Sequence, residues 1–224
     1  MRKIYYLLII ITVISGVMVG IYLYSSFKPK IIYLQSVYTN SSPKIDGYFD
    51  STEWAPAFNI NFTLELLGKI RQVELYIMNN NTHLFFAFKI SNEDAPNGNT
   101  DEMWIWLDSN NNEELDSYED IKILKTEDTC YIDAYHTSPP WMYIYPDSNY
   151  GGTTDGYAFW NFSNSNGIGI LIFETVFPFI SSDPHDVNVS RGTIVGITFE
   201  YHIFGTAWPG DNTKPNEWAK LVIA

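Results

Sequence analysis

Phe58-Asn59-Ile60-Asn61-Phe62-Thr63-Leu64-Glu65-Leu66 alternates apolar and polar residues without a break. A β-strand with one buried face imposes this pattern, because successive side chains point to opposite sides. Val73, Leu75 and Ile77 resume the period, Asn79-Asn80-Asn81 supplies a turn, and Leu84, Phe86, Phe88 and Ile90 complete a hairpin. Further strands are expected at 102–108, 119–125, 129–136, 157–162, 168–176, 193–204 and 217–223, separated by Gly, Pro, Asn and Asp clusters. Only 50–54 reads as helical, for a single turn with Asp50 or Ser51 as its cap. About ten short strands without a long helix predict an all-β fold, a two-sheet antiparallel β-sandwich of jelly-roll or immunoglobulin-like type.

Composition limits what such a domain does. Of the 224 residues, 46% are apolar and 17% charged, a balance that folds. The formal charge of −13 repels a phosphate backbone, so no nucleic-acid partner is expected. A single cysteine, Cys130, excludes an intrachain disulfide and a thiolate zinc site.

The amino end sets the compartment. Residues 4–24 form a run of 21 without a charge, preceded by Arg2 and Lys3. A membrane-spanning helix needs about 20 apolar residues. A cleaved signal peptide, the alternative, has an apolar stretch of about 7–15 and a small-residue cut site, whereas Tyr22, Leu23 and Tyr24 end this one. Residues 1–24 are therefore expected to be a single-pass cell-membrane anchor with a cytoplasmic start, and the rest extracellular. Residues 25–42 read as a stalk and 43–224 as the folded domain. Beyond the anchor, 11 basic residues face 26 acidic ones, and five Asn-x-Ser/Thr triplets begin at Asn40, Asn61, Asn80, Asn161 and Asn188, as in a glycoprotein.

Lys44-Ile45-Asp46-Gly47-Tyr48-Phe49-Asp50-Ser51-Thr52-Glu53-Trp54, then Val73 to Ile77, Leu84 to Ser91, Asp101-Glu102-Met103-Trp104-Ile105-Trp106-Leu107-Asp108 and finally Asn216-Glu217-Trp218-Ala219-Lys220-Leu221 follow in that order. Over 43–224 this succession resembles family 9 carbohydrate-binding modules and their DOMON-like relatives. The resemblance implies a two-sheet sandwich that binds calcium and, in the founding members, the end of a sugar chain. Those members clamp sugar between two tryptophans. Here Asn97-Gly98-Asn99 stands where one is expected, and Trp208 or Asn212 where the other is. Trp104 replaces a sugar-contacting glutamate, and 131–133 lack the family's arginine. Some DOMON-like relatives hold haem b through a methionine and a second ligand, for which Met103, Met142 and His202 are available.

Two constellations carry possible chemistry. Asp108, Asn110, Asn112, Glu114, Asp116 and Glu119 occupy positions 1, 3, 5, 7, 9 and 12 of a calcium loop, with apolar Leu115 at position 8. Ca²⁺ takes six to eight oxygens, and alternating ligands let one loop wrap it. Glu113 replaces the glycine usual at position 6, and a solvated acidic hairpin is the alternative. Trp104, Trp106 and Trp208 are the candidate carbohydrate contacts, since indole faces stack on sugars while Asn and Asp bind hydroxyls. The competing reading buries these rings beneath 137–154. Asp183, His185 and Asp186 around Pro184 read as a polar turn in preference to a metal set. Nucleophile-elbow, zincin and phosphate-loop motifs are missing from the sequence. The expected function is a membrane-anchored, extracellular, non-catalytic carbohydrate-recognition module with a structural calcium. A haem-binding redox domain and a cell-surface assembly module are the alternatives.

Overall fold

The structure, a computed structural model, describes residues 31–66, 68–96, 101–117, 119–137, 144–149, 151–181, 183, 186–201 and 206–224. The expected anchor at 1–24 and the first part of the expected stalk lie outside these. Among the described residues no helix is long and apolar enough to cross a membrane.

The strands are β1 (Tyr33–Tyr38), β2 (Phe58–Leu66), β3 (Lys69–Asn79), β4 (His83–Glu93), β5 (Glu102–Asp108), β6 (Asp120–Lys125), β7 (Tyr131–His136), β8 (Ile144–Pro146), β9 (Tyr157–Ser165), β10 (Ile168–Pro178), β11 (Ile194–Tyr201), β12 (Thr206–Trp208) and β13 (Ala219–Ile223). They form two layers joined through β1. One runs β8-β7-β6-β5-β11-β13-β1 with β12 beside β11. The other runs β1-β3-β4-β10-β9 with β2 beside β3. The all-β, sandwich-like expectation therefore holds.

Two expectations are corrected. Residues 33–38, read as stalk, are a strand of the fold. That strand is parallel to both neighbours, with Leu34 opposite Leu221 of β13 and Val37 opposite Met78 of β3, so the sandwich is not wholly antiparallel. Leu34 is fully buried in the core between the layers, and this burial draws in a strand whose remaining residues alternate only weakly.

Period two sorts the residues as the sequence requires. Leu75, Ile77, Phe86, Phe88 and Phe173 from one layer meet Met103, Ile105, Leu107, Ile197 and Phe199 from the other, all essentially inaccessible. Each such side chain contributes about 1.5–3 kcal/mol by leaving water. The β3–β4 hairpin forms as expected, with the Asn80 side-chain oxygen accepting from the Thr82 and His83 amides at 2.8 Å each.

The Ile45–Trp54 segment covers the outer face of the β4–β10 layer. Ile45 and Trp54 pack there on Met78, Phe85, Ala87 and Val176. Asp50 caps the single turn, its Oδ1 accepting from Thr52 N at 2.7 Å. One carboxylate fastens the segment: Glu174 of β10, fully buried, accepts from Asp46 N (3.1 Å), Gly47 N (2.9 Å) and Trp54 Nε1 (2.9 Å). Gly47 is needed because φ is +80° and a Cβ would stand 2.7 Å from the Trp160 carbonyl. Burial raises the Glu174 pKa while the three donors oppose it. Glu174→Ala strands those donors at about 1 kcal/mol or more each. The expected loss of about 3 kcal/mol lowers Tm by roughly 6–12 °C in a domain of this size, measurable by calorimetry against the wild type.

Candidate functional site

At the end of β5 the chain turns through the 108–119 loop. Asp108 is fully buried; its Oδ1 accepts from Asn112 N (3.3 Å) and its Oδ2 from Glu113 N (3.1 Å). Asn110 Oδ1 accepts from Asn112 N (2.9 Å) and Asn112 Oδ1 from Glu114 N (2.8 Å). Asp116 Oδ2 accepts from the amide groups of Asn110 (2.9 Å) and Asn112 (2.6 Å). Glu113 has φ +67°, so the chain takes the left-handed turn at position 6 without a glycine, at a cost of roughly 1–2 kcal/mol. Lys220 steadies it, its Nζ 2.5 Å from Asn111 Oδ1 and 3.3 Å from Glu113 Oε1. Gly196 on the neighbouring strand makes room, since a Cβ there would lie 2.9 Å from that of Asp108.

Glu119 is the uncompensated member. It is buried, and neither carboxylate oxygen has a hydrogen-bond partner among the described residues. Burial first, then repulsion from Asp108, pushes its pKa up to about 9, and the field of the Asp116 N–H offsets only part of this. Burial also raises Asp108. A buried carboxyl without donors suits a cation-binding position, because burying an anion is costly unless a charge or hydrogen bond compensates it. Hydrogen bonds tie Asp108, Asn110, Asn112 and Asp116 into one loop, and Glu119 lies close enough to Asp108 and Asp116 to feel their charge. Glu114 is exposed.

Trp104 and Trp106 share the outer face of the β5–β6 layer, ring centroids 6.0 Å apart, with Ile121, Ile123, Ala134 and Trp218. They are 8% and 1% exposed. Their N–H edges are tied down, Trp104 Nε1 to Glu102 Oε2 at 2.7 Å and Trp106 Nε1 to Glu200 Oε2 at 3.1 Å. Asn212 Nδ2 reaches the same Glu200 oxygen at 2.7 Å, and Lys125 pairs with Glu102 at 2.7 Å. Trp208 does not join this face. Its partner in register is Phe199, a core position, and it stacks on Phe62 at 4.1 Å, so the sheet separates it from Trp104 and Trp106. Of the residues weighed as haem ligands, Met103 is buried between the layers, and Met142 and His202 lie outside the described residues.

A third polar cluster was missed by sequence reasoning. Lys122 of β6, 2% exposed in its side chain, pairs with Asp120 (2.8 Å), Asp186 (2.7 Å) and Asp133. Asp147, in the one-turn 3-10 helix Asp147–Asn149, and Asp183 adjoin Asp186. Burial lowers and the surrounding carboxylates raise the Lys122 pKa, with a net rise that keeps it charged. Asp183 and Asp186, read from sequence as a polar turn, are instead buried. Asp147, Asp133 and Lys122, which they adjoin, lie 36 or more positions away, and no local spacing shows that.

No protein-family model and no curated protein sequence matches the chain. Solved structures do. A family 9 carbohydrate-binding module from Caldicellulosiruptor kristjanssonii, in complex with cellotriose, is similar at TM-score 0.52 and 16% identity over 87% of this chain and 93% of that one. A candidate carbohydrate-binding protein from Bacteroides uniformis is similar at TM-score 0.54 and 8% identity, over 87% and 100%. At such identities the likeness shows a shared fold.

The raised Glu119 pKa sets a pH dependence for chelated protein. Its folded pKa lies above the unfolded value of about 4.3, so folding takes up a proton between the two. Stability is full below the unfolded value and falls as pH rises toward 9. Tm in chelator is expected to fall between pH 5 and 9, and less steeply in Glu119→Gln.

Proposed function

We propose that this is a non-catalytic, extracellular carbohydrate-recognition module, held at the cell membrane by residues 4–24 and stabilised by calcium in the 108–119 loop. The observation that carries the reading is the fold, shared over nearly the whole length of two carbohydrate-associated structures. Calcium is supported by the bare Glu119 carboxylate opposite Asp108, and the anchor by the 21-residue uncharged run behind Arg2 and Lys3. Sugar recognition is assigned to the rim of the tryptophan face. There Trp104 is the more accessible indole, and Lys125 and Asn212 bring half-buried hydrogen-bonding groups to the carboxylates Glu102 and Glu200. The near-complete burial of Trp106 favours a second reading, an assembly module without a small ligand.

A glycan array with the calcium-loaded protein distinguishes these. Recognition predicts binding that Trp104→Ala weakens by about tenfold, the loss of one stacked ring, with Trp208→Ala affecting Tm instead. Binding unchanged in Trp104→Ala removes the rim as the site, and no binding to any glycan leaves the assembly module. The anchor predicts that full-length protein stays with membranes after an alkaline wash, its amino-terminal residues intact. Mature protein beginning beyond residue 20 would show a cleaved signal instead.

A further inference from the structure

The cluster around Lys122 has too little positive charge for its carboxylates. Asp120, Asp133 and Asp186 already share the one ammonium group, and Asp147 and Asp183 add two more acids beside them. All five are buried. Asp147 is fully inaccessible, and among the described residues neither of its oxygens has a hydrogen-bond partner. Asp186 Oδ2 has none either, its other oxygen being the one on Lys122. One oxygen from each of Asp147, Asp183 and Asp186 lies within 4.8 Å of the others. That is about the greatest separation of two oxygens both bound to one Ca²⁺ at 2.3–2.6 Å.

We propose that Asp147, Asp183 and Asp186 hold a second, buried divalent cation of the calcium class, independent of the 108–119 loop. An all-carboxylate donor set selects a hard cation over zinc or copper. The surrounding backbone is shaped to present these groups. Asp183 Oδ2 accepts from Thr153 N at 2.6 Å, Ser181 Oγ accepts from Asp183 N at 2.9 Å while donating to Asp155, and Gly152 N bonds the Asp147 carbonyl at 2.9 Å. A Cβ at Gly152 would collide with the Asp183 carboxylate, so glycine lets the backbone at 152 approach Asp183. The ion joins two loops far apart in sequence, and Lys122 neutralises the acids behind it. The two sites lie on opposite sides of β6. Asp120 and Lys122 alternate with Ile121 and Ile123, which belong to the tryptophan face, and Glu119 precedes Asp120 with the opposite orientation.

The test is the calcium stoichiometry of full-length protein in detergent, stripped with chelator and titrated by calorimetry. Native mass spectrometry counts the bound ions. Two per chain are expected, one in Asp147→Asn and one in Glu119→Gln. The isosteric Asp147→Asn keeps the packing, and near-ultraviolet circular dichroism confirms that it folds. Terbium luminescence adds a readout independent of stability: each single variant keeps about half the bound-Tb³⁺ signal. If Asp147→Asn binds as many ions as wild type, the second site does not exist, whether or not the first does. Loss in Glu119→Gln alone supports the loop site and overturns this one, and one ion lost only in Asp147→Asn does the reverse.

Discussion

The structure depends on how buried carboxylates are compensated. An acid side chain leaves water at a cost that hydrogen bonds or an opposite charge must offset, and this domain buries many. Glu174 is met by two backbone amides and an indole, and Glu93 by the Arg71 guanidinium and the Tyr201 hydroxyl. Asp120, Asp133 and Asp186 gather on Lys122. Among the described residues Glu119 and Asp147 are given no such donors. The first two solutions are complete within the chain, and all three hold segments together, although the third leaves one oxygen of Asp186 without a hydrogen-bond partner among the described residues. The last two leave negative charge beside the β5–β6 and β6–β7 ends, where the functional proposals lie.

The compensated carboxylates explain which loops are fixed. Glu174 draws the 45–54 segment across an otherwise apolar sheet face, so Trp54 and Ile45 become core residues. Arg71 and Glu93 hold together the far ends of β3 and β4, where the Arg71 guanidinium also lies 5.6 Å from the Tyr201 ring of the other layer. Polar groups thereby set register between layers whose hydrophobic contact is non-directional. Lys122 does the same between β6, β7 and Asp186. Its Nζ lies 5.5 Å from the centroid of the buried Phe177 ring, so losing any one carboxylate partner would alter packing as well as charge.

Much of this was legible in the sequence wherever one strand carried its own pattern. The alternation at 58–66, the hairpin turn at Asn80 and the two faces of β5 follow from period two alone. The 108–119 loop was legible as a candidate because its oxygen-bearing side chains are spaced within a dozen residues. β1 was not, since Tyr33-Leu34-Gln35-Ser36-Val37-Tyr38 commits only Leu34 strongly to a core, and its two partners lie at opposite ends of the domain. Trp208 was misplaced because its face is decided by pairing with Phe199, which no count from Trp106 supplies. Asp147 was invisible for the same reason: its significance comes from Asp183 and Asp186, which only tertiary structure brings to it.

The charge balance connects the proposed cation sites to the proposed location. Beyond residue 24 the chain carries 11 basic and 26 acidic residues, an excess that opposes compaction through self-repulsion. Neutralising the bare carboxylates with protons would leave stability falling as pH rises, whereas divalent cations take the deprotonated form and reverse that trend. Sites in extracellular modules bind calcium with dissociation constants of about 10⁻⁴–10⁻³ M, concentrations a cytosol does not supply. On the reading argued above, the sandwich becomes fully stable only after reaching the outside, where cation binding adds free energy to the native state alone. The same carboxylates that weaken the chelated domain then make its stability contingent on the compartment in which it works.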